Sequence, residues 1–179
     1  LGVVFVGILI SQKTQKNALP VLGQVPEFHL TNHRGENADQ SLLKNKIGVI
    51  NFMFTTCQGI CPTLNGEMQK LQKNFARYEE FQLVSISVDP ENDTPHQLKS
   101  WTSSLGIDTD NWTFLTGPLA HIKKLLVEGL KVGFPDQPQA HTDRFVLVDR
   151  SGDIRGYYRL ARPETLEQLR VDIFSLLRG

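Results

Sequence analysis

Cys57 and Cys61 are the only cysteines in a chain of 179 residues, and they stand four positions apart. A disulfide between them would close a tiny loop, whose entropic effect is below the ~3 kcal/mol estimated for a 15-residue loop. The pair is therefore chemical or accidental, not scaffolding. Two inert apolar cysteines would sit more naturally inside an element than at its exposed start. Thiolates attack disulfides and bind soft metals, and the amino end of a helix favours the thiolate, so both cysteines are expected to ionise more easily than a free one. On a helix, residues four apart stand about 5–6 Å from each other at Cβ, whereas a disulfide wants about 3.8 Å. The spacing suits chelation better and leaves disulfide formation disfavoured but open.

Two sulfurs under-coordinate a metal, so a third ligand is sought among the five histidines. His29, His33, His96 and His121 read as surface or partly buried residues of turns, strands and helix starts. His141 differs, because it ends a loop just before a strand, where an imidazole can reach the top of a parallel sheet. Two thiolates and one imidazole suit Cu(I) in three-coordination. Zinc ranks lower, since its structural sites take four ligands.

The elements that must position these groups alternate along the chain. A small hairpin around Thr31–Gly35 opens the body. The run 47–54 (IGVINFMF) reads as a strand buried on both faces, and the cysteines follow it directly. Leu64, Met68, Leu71, Phe75 and Tyr78 mark a long helix that Pro62 can start. A strand at 83–88 ends at Asp89–Pro90. Thr94–Gln97 then caps a helix carrying Leu98, Trp101 and Leu105 until Gly106 stops it. A strand at 112–115, a helix at 118–130, a hairpin from Phe145 through Tyr158 and a closing helix at 163–177 complete the order. This is an α/β sheet covered on both faces, with ligands expected beyond the carboxyl ends of its central strands.

Nineteen basic residues balance nineteen acidic ones, so no field draws in nucleic acid or another polyanion. Residues 1–10 (LGVVFVGILI) are uncharged and apolar. As a helix they would rise about 15 Å, half a hydrocarbon core, so the segment as given does not span one. It reads as the end of a membrane anchor or signal segment, or else as a buried element of the domain. Residues 11–24 read as a linker and 25–179 as one domain.

At the quoted residues the chain resembles the Sco/SenC family of thioredoxin-fold copper proteins, which assist assembly of the copper centre of cytochrome c oxidase. The resemblance is carried by NFMFTTCQGICP (51–62), VSISVDPENDTP (84–95) and HTDRFVLVDRSGDIRGYY (141–158), in family order. Gln58–Gly59 replaces the Pro-Asp that many relatives carry after the first cysteine. The resemblance implies a thioredoxin-like fold with a peroxiredoxin-like elaboration: a central mixed sheet, helices on both faces and an N-terminal β-hairpin. It implies that Cys57, Cys61 and His141 hold one copper ion, Cu(I) or Cu(II), and places Asp89 and Asp93 near the site. It also implies delivery to the copper-bearing oxidase subunit, an upstream copper donor and a thiol reductant. An N-terminal anchor would hold the domain in the bacterial periplasm or, alternatively, the mitochondrial intermembrane space. The rival reading is a thiol–disulfide oxidoreductase in which Cys57 attacks and Cys61 resolves; a metal-dependent sensor is a third.

Overall fold

The computed structural model describes residues 19–133 and 143–179. Residues 1–18 and His141, and with them the expectations placed on the apolar segment and the third ligand, lie outside the described residues.

Seven consecutive residues of β4 (Ile47–Met53) are buried, as a strand covered on both faces requires. It pairs in parallel with β5 (Phe81–Ser87), which pairs in parallel with β6 (Trp112–Thr116). On the other side of β4 lies β7 (Arg144–Val148), antiparallel, and beyond it β8 (Asp153–Arg159), antiparallel to β7. The hairpin of β2 (His29–Asn32) and β3 (Asn37–Asp39) closes one edge against β6. The two-residue β1 (Gly23–Gln24) closes the other against β8. The eight strands run in the order β1-β8-β7-β4-β5-β6-β2-β3.

Alternation along the strands divides the interior into two cores. Val49, Leu83, Phe114 and Leu147 face α1 (Cys61–Phe75), α2 (Pro95–Ser104) and α4 (Pro163–Arg178). Ile50, Val84, Leu115 and Val146 face the opposite layer, where α3 (Leu119–Lys124) contributes Ile122. Helices on both faces and the N-terminal hairpin are as expected.

Two helix readings change. Leu105 is not part of the inner stripe: it caps α2 and is 51% exposed, because Gly106, at φ +61°, reverses the chain there. The expected helix over 118–130 divides, α3 giving way to a wide π-type turn at Leu125–Gly129, where the Leu130 N–H reaches the Leu125 carbonyl at 2.7 Å. The extra residue in that turn brings Leu125, Leu126 and Leu130 all into the core. Gly129 permits it, since a Cβ there would strike the Pro26 ring.

Candidate metal centre

The β4 strand delivers Cys57 to the carboxyl end of the sheet, and Cys61 opens α1 with Pro62 behind it. Cys57 is half-buried and Cys61 is buried at 2% exposure. Their side chains are hydrogen-bonded to each other. The two sulfurs nevertheless differ in character. Burial works to raise the Cys57 pKa, but hydrogen bonds from the Cys61 thiol and from the N–H groups of Cys61, Gly59 and Ile60 outweigh it and hold that thiol below its ordinary value. Cys61 is pushed up to about 12, first by burial, then by its bond to Cys57, with the negative charges of Cys57 and Asp93 adding to the shift. The expectation that the helix start would favour both thiolates is corrected for Cys61: its side chain is buried, while the N–H groups of Gly59, Ile60 and Cys61, at and just before the helix start, serve Cys57.

Asp93 is fully buried beside this pair. Its carboxylate accepts hydrogen bonds from the Thr55 N–H at 3.0 Å, from the Thr55 hydroxyl, and from the Ser87 hydroxyl at 2.6 Å. Thr55 lies two residues before Cys57 and Ser87 ends β5, so Asp93 ties the cysteine loop to the neighbouring strand. Asp89 is half-buried and turned to local work: its carboxylate accepts from the Asn92 amide at 2.8 Å, and its carbonyl accepts the Asn92 and Asp93 N–H groups. Thr55 and Ser87 were not singled out from the sequence. Their hydroxyls look like ordinary strand-end residues until Asp93 is seen between them.

A cavity of about 290 Å³ opens beside the thiols between α1 and α2, with Cys57, Cys61, Asn65, Trp101 and Leu105 in its wall. The Oδ1 of Asn65 is buried there without a hydrogen-bond partner.

Of the remaining histidines, His33 is buried at 3% exposure rather than lying at the surface. Its Nδ1 accepts the Phe114 N–H at 3.4 Å and its ring meets that of Phe114 edge-on. His29, His96 and His121 are exposed. Among the described residues, no three His, Cys, Asp or Glu side chains converge as a metal site. The donor set in view is the thiol pair, whose soft sulfurs fit a soft cation such as Cu(I).

The mixed sheet, its covering helices and a dithiol at the end of the buried central strand define a thioredoxin-like protein with a candidate metal centre. The SCO1/SenC family profile matches residues 19–177, and the chain belongs to that family. Three solved relatives give the scale of the likeness. A SCO1/SenC family lipoprotein from Bacillus anthracis is 34% identical, with a TM-score of 0.76 over 88% of this chain and 96% of its own. BsSco, described as a member of the Sco family of cytochrome c oxidase assembly proteins with a disulfide switch, is 30% identical, with a TM-score of 0.76 over 89% and 97%. Copper-bound ScoI from Bradyrhizobium japonicum is 28% identical, with a TM-score of 0.63 over 86% and 99%.

Proposed function

We propose that the protein captures one copper ion between Cys57 and Cys61, with His141 as third ligand, and passes it by ligand exchange to the copper-bearing subunit of cytochrome c oxidase. The observation that carries this reading is the meeting of two thiols at the sheet's carboxyl end, hydrogen-bonded to each other, one of them held below its usual pKa. Binding a soft cation releases the thiol protons, so Cys57 supplies the ready thiolate and Cys61 follows once its proton is displaced. Asp89 and Asp93 act outside the ligand set, Asp93 by fixing the loop that carries Cys57. The copper-bound relative and the oxidase-assembly relative support the cargo and the client. Anaerobic titration of the reduced chain with Cu(I) against a chelating competitor tests the reading. One equivalent is expected, lost in Cys57→Ser and weakened in His141→Ala; stoichiometric binding retained by both variants overturns it.

The inequality of the two thiols favours a second reading. A low-pKa cysteine beside a buried high-pKa one is the arrangement of an attacking and a resolving thiol. In it, the Cys57 thiolate attacks a client disulfide and forms a mixed disulfide. Cys61 then loses its proton and displaces the reduced client, leaving Cys57 bonded to Cys61. A phenotype that depends on Cys57 and survives His141→Ala would select this chemistry over copper transfer.

The domain is further proposed to be held on a bacterial membrane, facing the periplasm, through residues 1–10. The lipoprotein relative supports membrane association. No helix among the described residues is long and apolar enough to cross a membrane. Flotation of the full chain with vesicles tests this proposal.

A further inference from the structure

A cleft lies at the opposite pole from the cysteines. It has a volume of about 890 Å³, and its wall includes Leu19, Arg150, Val171, Phe174 and Arg178. The strand directions fix its place. Val148 pairs with Gly48 at the start of β4 and with Ile154 at the start of β8, and Gly23 pairs with Ile154. The chain therefore enters the fold where β4 begins, about 20 Å along a seven-residue strand from where β4 hands over to Cys57.

Three observations at this pole point to a single occupant. First, apolar side chains are left uncovered there. Of the five large hydrophobic residues exposed among the described residues, two (Val21 and Leu22) lie at the chain entry and two (Val171 and Phe174) on α4. Second, a cationic group borders them. The Arg178 guanidinium stands 5.1 Å from the centroid of the Phe174 ring, and Arg178 forms no ion pair among the described residues, whereas Arg150 is engaged at the end of α4, donating to the Leu176 and Leu177 carbonyls at 2.6 and 3.3 Å and to Glu80 at 3.4 Å. The acidic members of the wall are already occupied: Asp149 pairs with Arg155, and Asp172 accepts from Tyr158 and Gln168. Third, the chain outside the described residues ends in this wall. Leu19 lines the cleft and its carbonyl accepts from Arg155. Eight residues, 11–18, separate Leu19 from the apolar stretch 1–10, a span of at most about 29 Å when fully extended.

We propose that this cleft and the adjoining α4 face rest on a lipid bilayer containing anionic phospholipid, with the dithiol pole turned away from it. Val171 and Phe174 enter the boundary between headgroups and acyl chains, and Arg178 meets the phosphates at its level. A tether that inserts in the membrane joins the fold at this pole, which is therefore the pole nearest its anchor. The proposal rests on the reading of residues 1–10 as a membrane segment and adds an orientation to it.

The test uses the full chain with vesicles of phosphatidylcholine and phosphatidylglycerol whose acyl chains are brominated at shallow positions. Flotation reports on the membrane segment alone. Tryptophan quenching reports on orientation, by comparing Phe174→Trp, and Val171→Trp as a second position on the same face, with Glu91→Trp at the dithiol pole. Co-flotation is expected, with the emission added at 174 or 171 quenched about twofold or more, as burial by 5–10 Å would produce, and that at 91 unchanged. Co-flotation with equal quenching at both poles overturns the docking face and leaves the membrane segment standing. Failure to co-float overturns both.

Discussion

Three residues separate two sulfurs that differ in their readiness to lose a proton, and that difference can be measured directly. Iodoacetamide should alkylate Cys57 with an apparent pKa below 9.0, while Cys61 stays protected until the pH nears 12. Peptide mapping across a pH series reads both; equal reactivity at pH 8 would contradict the assignment. The same shift has a thermodynamic sign. Between pH 9 and about 12, folded Cys61 keeps a proton that the unfolded chain has lost, so its contribution to stability is full below pH 9 and declines through that window. Urea midpoints of Cys61→Ser should decline less steeply over the same range than those of the parent. Asp93 offers a second test. Asp93→Ala strips the Thr55 N–H and the Thr55 and Ser87 hydroxyls of their buried acceptor, and should cost about 2–4 kcal/mol in urea unfolding. It should also slow Cys57 alkylation less than threefold if the loop merely loosens. The cysteines were legible from their spacing and from the strand before them. The difference between them was not, because it depends on which thiol the backbone N–H groups face. Asp93 was legible as a neighbour of the site, but its grip on Thr55 spans 38 positions of chain that no local pattern connects.

At the level of elements, β8 and α4 are joined by a buried polar contact, the Tyr158 hydroxyl donating to Asp172 at 2.7 Å, with Gln168 donating to the other carboxylate oxygen. Tyr158→Phe removes one donor from a buried carboxylate and should destabilise the chain by about 1–3 kcal/mol, measured by urea unfolding. An unchanged midpoint would mean that water replaces the lost hydroxyl. The major elements were readable because burial leaves marks in the sequence: a seven-residue strand apolar but for Asn51 in β4, and a 3–4 spacing for α1 and α4. The elements that were not readable lack such marks. β1 is two residues long and exists through its pairing with β8, and the π-type turn after α3 follows from three leucines and the approach of Pro26, a constraint from distant sequence. The buried Ser85 reads as an ordinary strand serine, yet its hydroxyl donates to Asn51 in β4 and accepts from the Trp112 indole in β6, joining three strands.

For the whole molecule, metal capture and folding are linked, since a ligand that binds only the folded chain stabilises it. Free Cu(I) held at about a hundred times the dissociation constant adds about 2.7 kcal/mol, which for a domain of this size raises the melting temperature by roughly 5–10 °C. Anaerobic thermal scans should show that rise in the parent and lose it in Cys57→Ser; a rise preserved in the variant would place the binding elsewhere. The order of the strands carries a mechanical consequence. Any tension transmitted through residues 11–18 arrives at Leu19 and is felt first by β1, then by β8 and β7, before it reaches β4. The two residue pairs joining β1 to β8 are the weakest seam in that series. A pull on the tether would therefore peel β1 from the sheet's edge and spend itself there, two strands short of the one that carries the thiols.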